Sequence, residues 1–170
     1  MAKTWKDEDI SLDPIKDQTI AVIGYGIQGD AQANNMKDSG LKVIVGLREG
    51  SPTWNKAKED GHEVMSVADA TKKADIIHIL IPDMIQGKIY REEIGPHLSE
   101  GKALSFSHAA AIYWKWIDAP DNVDLIMVAP KGPGSKVRET YLQNFGTPSI
   151  VAVEQDKTGK AWDRTLGIAK

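Results

Sequence analysis

Two side chains suited to proton transfer and anion binding follow apolar runs in this 170-residue chain. His108 comes after residues 102–107 and before three alanines, and an imidazole at such a loop suits proton transfer near neutral pH. Lys131 lies between Pro130 and Gly132, where its cation could bind an anionic substrate group or a developing alkoxide. From the spacing alone, each is also compatible with a loop residue that has no chemical task.

A glycine motif, G-x-G-x-x-G, occupies residues 24–29, between a β-prone run at 19–23 and a helix-length segment at 30–39. This context is typical of a dinucleotide-binding turn. Gly24 would allow the tight turn, Gly26 would leave room for a pyrophosphate, and Gly29 would let the helix pack on the strand. An ordinary glycine turn is the alternative, but a second apolar strand at residues 41–45 favours a nucleotide site.

The end of that second strand predicts which dinucleotide binds. Sites for NAD usually place an acidic residue there, whereas this chain has Arg48, followed by the hydroxyls of Ser51 and Thr53. A forked guanidinium beside short donors suits a 2′-phosphate, which favours NADPH. Glu49 and Pro52 oppose this preference, so NADH stays open, as does the interpretation of Arg48 as a solvated loop cation.

The remaining histidines and aromatic residues suggest structural roles. His78 lies in an apolar strand and is interpreted as a core residue with its hydrogen bonds satisfied, and His62 and His97 as surface or loop residues. The aromatic side chains at residues 113–116 suggest packing or an interface. The sequence has no histidine and carboxylate spacing typical of a metal site.

Strands and helices must alternate to position these residues. Apolar runs predict strands at residues 19–23, 41–45, 62–65, 75–81, 102–107, 123–129 and 149–154, with helices between them and a final helix from residue 160. This alternation predicts a single α/β domain over residues 1–170, with a doubly wound, mostly parallel Rossmann-type sheet and helices on both faces. In such sheets the ligand lies beyond the carboxyl ends of the strands, where the candidate residues would gather.

Composition limits the classes of partner. With 21 basic and 24 acidic residues, the formal net charge is −3, which suggests neither nucleic acid nor an anionic membrane as a partner. The chain has no cysteine, its first residues are too charged for a signal peptide, and no apolar run is long enough to span a membrane. These features predict a soluble, cytoplasmic protein.

Several motifs together resemble the N-terminal domain of ketol-acid reductoisomerase, also called acetohydroxyacid isomeroreductase. The resemblance covers nearly all of residues 5–170 through GYGIQG at 24–29, IPDMIQ at 81–86, FSH at 106–108 and MVAPKGPG at 127–134. It implies an enzyme of branched-chain amino-acid synthesis that acts on 2-acetolactate or 2-aceto-2-hydroxybutyrate. A Mg²⁺-assisted alkyl shift would be followed by hydride reduction from NADPH or NADH.

The resemblance also implies roles for individual residues. His108 matches the catalytic histidine of the family and Lys131 a lysine near the substrate. The implied cofactor contacts are Gly24, Tyr25, Gly26, Ile27, Gln28, Gly29, Arg48, Ser51, Thr53, Pro82, Asp83, Met84, Ile85, Gln86 and Gly134.

The chain departs from the family pattern at three places. Asp30 replaces a histidine after the third glycine, where its charge would weaken pyrophosphate binding, and Asn34 replaces a leucine on a helix face expected to be buried. After His108, alanines at residues 109–111 replace a Gly-Phe-Asn sequence, which changes the local geometry that we expect.

The family continues into a knotted helical domain that supplies the Mg²⁺ ligands, and this domain is not part of the 170 residues. The sequence therefore predicts either part of a reductoisomerase or an excised or redesigned nucleotide-binding module without catalytic activity. Apolar surface left without the helical domain predicts self-association.

Overall fold

The computed structural model describes residues 3–170, in which seven strands alternate with helices. The strands are β1 (Thr19–Ile23), β2 (Lys42–Gly46), β3 (Glu63–Met65), β4 (Ile76–Ile79), β5 (Ala103–Phe106), β6 (Asp124–Pro130) and β7 (Ser149–Gln155). The helices are α1 (Ile27–Asp38), α2 (Trp54–Glu59), α3 (Val67–Lys73), α4 (Asp83–Ile89), α5 (Ala110–Tyr113), α6 (Gly134–Leu142) and α7 (Ala161–Ala169). Short 3₁₀ turns at Asp7–Asp9 and Asp13–Ile15 precede β1, and α4 continues into a π-helical turn, Tyr90–Ile94, and a 3₁₀ turn, Gly95–His97.

All strands belong to one sheet, in the order β3-β2-β1-β4-β5-β6-β7. Neighbouring strands from β3 to β6 are parallel, and β7 pairs with β6 in the antiparallel direction. The chain moves outward from β1 to β2 and β3 and then returns to the other side of β1 at β4. This reversal creates a crevice at the carboxyl ends of β1 and β4, which is where open α/β sheets bind their ligands.

Apolar residues cover both faces of the sheet, because the side chains of a strand alternate between its faces. On β1, Ala21 and Ile23 belong to the core packed against α3 and the segment after α4. Ile20 and Val22 belong to the second core, with residues of α1, α2 and the start of α7. The predicted doubly wound, mostly parallel sheet with helices on both faces is confirmed.

Several predicted element bounds change for local reasons. Helix α1 begins at Ile27 instead of residue 30, because the glycines at 26 and 29 lie at its N-cap and in its first turn. Strand β4 ends at Ile79, before Pro82, which is the N-cap of α4. The segment after His108, expected to be a loop, contains the short helix α5 instead, and Ala111 of that helix is fully buried.

A buried ion pair attaches α7 to the sheet. Arg164 Nη1 lies 2.7 Å from Asp124 Oδ2, and both side chains are buried. The hydroxyl of Thr158 donates to the same carboxylate oxygen, so the charge of Asp124 is well compensated. Neither α7 nor any other helix among residues 3–170 combines the length and the apolar composition needed to cross a membrane.

Candidate functional site

The candidate residues lie on loops that follow the carboxyl ends of parallel strands. These loops come after β1, β2, β4, β5 and β6, so they share one edge of the sheet. Contacts between loops show this proximity directly. Gln28 Nε2 donates to the carbonyl oxygen of Gly132 at 2.9 Å, and His108 Nδ1 lies 3.5 Å from Asp83 Oδ2.

The glycine loop after β1 has the geometry that its spacing predicts. Gly24 has a φ of +99°, a backbone conformation that is unfavourable for residues other than glycine. A Cβ on Gly29 would lie 2.2 Å from the carbonyl oxygen of Gly24, so only glycine lets α1 start this close to β1. A Cβ on Gly26 would meet no protein atom within 4 Å, which leaves open space above the first turn of α1. This space suits a phosphate group approaching the backbone N–H groups of the helix start.

The other residues of this loop point in different directions. The side chain of Tyr25 is 2% exposed and its hydroxyl donates to Asp60 Oδ2 at 2.7 Å, so the ring packs away from the crevice. Ile27 is 73% exposed at the start of α1. Gln28 faces the loop after β6 through its bond to Gly132. A cofactor at this loop would therefore meet the backbone of Tyr25 and the side chain of Ile27.

The turn between β2 and α2 brings Arg48, Ser51 and Thr53 together. The N–H of Ser51 donates to the carbonyl oxygen of Arg48 at 3.0 Å, and Thr53 is the N-cap of α2 without a side-chain capping bond. Arg48 is exposed, whereas Ser51 Oγ is buried and has no hydrogen-bond partner among residues 3–170. A buried hydroxyl in the same turn as an exposed guanidinium fits an acceptor such as a 2′-phosphate oxygen.

Residues 82–86 form the opposite wall of the crevice at the start of α4. The side chains of Met84 and Ile85 are exposed there, whereas Gln86 is buried. Gln86 Nε2 donates to Asp83 Oδ1 at 3.0 Å and to the carbonyl oxygen of Ile81 at 2.9 Å, which orients the carboxylate. Its Oε1 atom is buried and has no hydrogen-bond partner in the described part of the chain, so this wall contains an acceptor whose hydrogen bond is not satisfied there.

His108 lies at the end of β5 with its imidazole 69% exposed to solvent. The N–H of Ala110 donates to Nδ1 at 3.2 Å, which leaves Nε2 to carry the proton of the neutral ring. The carboxylate of Asp83 is also within 3.5 Å of Nδ1. The ring is therefore accessible. The N–H of Ala110 orients the neutral ring, whereas the Asp83 carboxylate attracts Nδ1 only when that atom carries a proton.

Lys131 and Gly134 belong to the loop between β6 and α6. The side chain of Lys131 is exposed, and its backbone N–H donates to the carbonyl oxygen of Pro148 at 2.8 Å. A Cβ on Gly134 would lie 2.1 Å from the carbonyl oxygen of Ile27, so this glycine lets α6 start against the start of α1. The structure thus gives Gly134 a packing role beside its predicted contact with the cofactor.

Beneath the crevice, His78 takes part in a buried chain of hydrogen bonds that the sequence did not predict. Gln32 Nε2 donates to Gln28 Oε1 at 3.0 Å and to Ser107 Oγ at 3.3 Å, so Gln32 Oε1 accepts from His78 Nε2 at 2.8 Å. Nδ1 of His78 then accepts from the hydroxyl of Ser105 at 2.8 Å. Burial lowers the pKa of His78 to about 4, which keeps the ring neutral. The interpretation of His78 as a satisfied core residue is confirmed.

The two helix departures from the family, Asp30 and Asn34, bond to each other. Asn34 Nδ2 donates to Asp30 Oδ1 at 2.8 Å and to the hydroxyl of Tyr25 at 2.9 Å, so the polar group on this face is satisfied. Asn34 Oδ1 lies 3.1 Å from His62 Nε2. His62 lies in the loop between α2 and β3, as one of its two interpretations held, but the surface interpretation is wrong, because the residue is 6% exposed and its ring packs edge-on against Tyr25.

Lys56 and Asp60 also belong to this polar cluster, and the sequence patterns did not identify them. Lys56 Nζ lies 2.8 Å from Asp30 Oδ2 and 2.6 Å from Asp60 Oδ2. The spacing of four residues between Lys56 and Asp60 was the one signal available in the sequence. The contact with Asp30 comes from the packing of α2 beside α1, which the spacing does not predict.

The aromatic side chains that follow His108 are exposed to solvent. Tyr113, Trp114 and Trp116 are 74%, 62% and 39% exposed, whereas Ile117 is buried in the core.

Within residues 3–170, the structure places no three histidine, aspartate or glutamate side chains in a group that could hold a metal ion.

Comparison with protein families and relatives gives consistent matches over the whole chain. A family model described as "Acetohydroxy acid isomeroreductase, NADPH-binding domain" matches residues 14–170. The chain is 86% identical over all 170 residues to the ketol-acid reductoisomerase (NADP(+)) of Nitrosopumilus maritimus (strain SCM1). It is 76% identical over the same length to the ketol-acid reductoisomerase (NADP(+)) of Cenarchaeum symbiosum (strain A). The chain spans 51% of the length of each of these relatives.

A solved structure of an NADH-preferring ketol-acid reductoisomerase from an uncultured archean has the same fold. It superposes with a TM-score of 0.93 at 50% sequence identity, over 95% of this chain and 50% of that protein. The structural match and the sequence matches therefore cover the same half of longer proteins.

Proposed function

The chain belongs to the acetohydroxy acid isomeroreductase family, as the match over residues 14–170 establishes, and on that premise we propose that it binds NADPH in the crevice between β1 and β4. The observation that carries the proposal is the open space at Gly26, at the point where the strand order reverses. A pyrophosphate in that space would accept hydrogen bonds from the first N–H groups of α1. NADH is the alternative, because one similar structure is of an enzyme that prefers NADH.

Each wall of the crevice would contribute to cofactor binding in this proposal. Arg48, with Ser51 and Thr53, would bind the 2′-phosphate, and the unpaired hydroxyl of Ser51 supports this role. Residues 82–86 and Gly134 would contact the remaining part of the cofactor. When bound, the nicotinamide supplies the hydride for reduction.

His108 and Lys131 are the residues that we propose for the chemistry of the substrate. His108 would exchange a proton through Nε2, since Nδ1 accepts the N–H of Ala110. Lys131 would hold an anionic oxygen of the substrate through its exposed ammonium group. Both act on a substrate that the other half of a longer protein would help to bind.

We propose that the whole protein is a reductoisomerase that converts 2-acetolactate or 2-aceto-2-hydroxybutyrate to a 2,3-dihydroxy acid in the cytoplasm, with Mg²⁺ held by residues outside this chain. The support is that the relatives are ketol-acid reductoisomerases of which this chain spans about half. A nucleotide-binding module without catalytic activity remains the alternative for the 170 residues by themselves.

Isothermal titration of the purified chain with NADPH and NADH tests cofactor binding directly. We expect both to bind, with NADPH the tighter by about tenfold, because Arg48 and Ser51 would gain a charged partner. A folded chain that binds neither cofactor would contradict the proposal.

An assay of turnover distinguishes a catalytic chain from a module that only binds the cofactor. The chain is mixed at high concentration with 2-acetolactate, Mg²⁺ and NADPH, and oxidation of the cofactor is followed. Oxidation that EDTA and His108→Ala both abolish would show that these residues suffice for catalysis. Cofactor binding without oxidation would support the role of a cofactor-binding half.

A further inference from the structure

The carboxylate of Asp30 lies in the first turn of α1, next to the glycine loop. The N–H of Asp30 donates to the carbonyl oxygen of Gly26 at 2.8 Å, so this residue follows the proposed phosphate site by one helical turn. A carboxylate at a helix start interacts favourably with the helix dipole, but it repels a bound pyrophosphate. A residue that neutralises Asp30 would therefore favour binding of a dinucleotide.

Lys56 is the residue that neutralises Asp30. Its ammonium group lies 2.8 Å from Asp30 Oδ2 and 2.6 Å from Asp60 Oδ2, so one cation bridges carboxylates from two elements. The hydrogen bonds that the Lys56 ammonium donates to Asp30 and Asp60 raise the pKa of Lys56, and the bond to Asp60 lowers the pKa of that carboxyl. Lys56 and Asp60 are therefore both charged at neutral pH.

The same bridge connects the turn between β2 and α2 to the glycine loop. Asp60 accepts the hydroxyl of Tyr25 at 2.7 Å, and Tyr25 is part of the glycine loop. Lys56 itself belongs to α2, whose N-cap Thr53 ends the turn that carries Arg48 and Ser51. Displacement of α2 would move the proposed 2′-phosphate site relative to the proposed pyrophosphate site.

We propose that Lys56 is a positioning residue of the nucleotide site, which neutralises Asp30 and holds α2 against the glycine loop without contacting the cofactor. The proposal rests on the proposed binding of NADPH. It also accounts for two departures from the family pattern, since Asp30 and Asn34 belong to the same hydrogen-bonded cluster as Lys56.

The test compares Lys56→Met with Lys58→Met by isothermal titration with NADPH. Lys58 lies on the same helix and its Nζ atom lies 5.4 Å from the centre of the Trp54 ring, so its replacement makes the same change in net charge without breaking the bridge. We expect Lys56→Met to weaken NADPH binding about tenfold at low salt, and Lys58→Met to change it less than about twofold. Equal effects of the two replacements would overturn the proposal.

Three further variants separate positioning from a loss of folding. Lys56→Arg keeps the charge and is expected to retain most of the affinity. Asp30→Asn, which needs no neutralising cation, should bind NADPH at least as tightly as the original chain. The double variant with Lys56→Met and Asp30→Asn should regain the part of the affinity that Lys56→Met loses through the unneutralised charge of Asp30, but not the part lost through displacement of α2.

Salt and thermal stability give the remaining readouts. The difference between Lys56→Met and the original chain should shrink at 0.5 M salt, because Asp30 and Lys56 are partly exposed and their field is screened. A lower melting temperature with unchanged NADPH affinity would show a purely structural role and overturn the proposal. If the original chain binds no NADPH, the proposed function fails together with the inference, whereas normal binding by Lys56→Met removes the inference alone.

Discussion

Gly26 and Gly29 lie three residues apart, at the N-cap and in the first turn of α1, but the space around them differs. A Cβ on Gly29 would collide with the carbonyl oxygen of Gly24, whereas a Cβ on Gly26 would enter open space. Gly26 also has a φ of −82°, which alanine adopts without strain. Folding therefore requires glycine at position 29, and the proposed ligand requires it at position 26.

Replacement of each glycine by alanine should separate stability from binding. Gly26→Ala is expected to change the free energy of unfolding by less than about 0.5 kcal/mol but to weaken NADPH binding about tenfold or more. Gly29→Ala should lower the free energy of unfolding by about 1–3 kcal/mol or more, because α1 must move from β1. Urea unfolding and calorimetric titration measure the two effects. Unchanged NADPH affinity in a folded Gly26→Ala variant would contradict the proposed position of the pyrophosphate.

The buried ring of His78 should make the stability of the chain depend on pH. Its pKa is about 4 in the folded chain because burial disfavours the charged ring, against about 6.5 in an unfolded chain. Between these values the unfolded chain binds a proton that the folded chain does not, so stability falls as the pH falls.

The variant His78→Gln measures this effect. Between pH 7 and pH 5, the loss of unfolding free energy should be about 2 kcal/mol smaller in the variant than in the original chain. Urea unfolding at several pH values tests this difference. Parallel pH profiles would mean that His78 does not titrate as its burial implies.

At the scale of elements, the chain of hydrogen bonds through Gln32 connects three parts of the fold. Gln28 and Gln32 belong to α1, His78 to β4, and Gly132 to the loop between β6 and α6. The loop with Lys131 is thus attached to the same helix that would bind the pyrophosphate. Gln32 is a buried polar residue on the face of α1 that packs against the sheet, and its hydrogen bonds connect this helix to β4.

Replacement of Gln32 by leucine should weaken this connection. The change leaves Gln28 Oε1 and His78 Nε2 without their partners, which is expected to lower the free energy of unfolding by about 1–3 kcal/mol. Hydrogen exchange at residues 131–134 should become faster, because Gln28 then holds Gly132 less firmly. The exposed Gln143 provides the control, and Gln143→Leu should stay within about 0.5 kcal/mol. Unchanged exchange at residues 131–134 in the folded Gln32→Leu variant would show that this loop does not depend on the hydrogen bonds of Gln32.

At the scale of the whole molecule, apolar side chains remain exposed near the edge strand β7. Among the strands of residues 3–170, β7 has only β6 as a neighbour, so one of its edges has no strand of this described region beside it. Ile150 of β7 is 53% exposed, and Leu142, Phe145 and Trp162 are exposed as well. An edge strand with exposed apolar residues is prone to pair with other chains.

The chain is therefore expected to self-associate in solution at high concentration. Light scattering should show an average mass that rises with protein concentration, and Ile150→Lys should reduce this rise by placing a charge on β7. The exposed Asn55→Lys provides a control for the change in net charge alone. A strictly monomeric profile at every concentration would contradict the expectation.

The sequence by itself determined the fold, the crevice and the family. Apolar runs and the spacing of Gly24, Gly26 and Gly29 are local patterns, and such patterns encode strand and helix periodicity and the turn between them. The order of the motifs along the chain then identified the family. The positions of Arg48 and His108 followed because both come directly after strands whose carboxyl ends share one edge.

Only the tertiary structure decided which side chains meet. The burial of His62, the partners of His78 and the bridge from Asp30 through Lys56 to Asp60 depend on contacts between different elements. Asp30 and Asn34 looked unfavourable as single replacements, but Lys56 of α2 pairs with Asp30, and Tyr25 and His62 bond to Asn34. Residues distant in sequence come together through the packing of whole helices on the sheet, and no local pattern of residue types specifies that packing in detail.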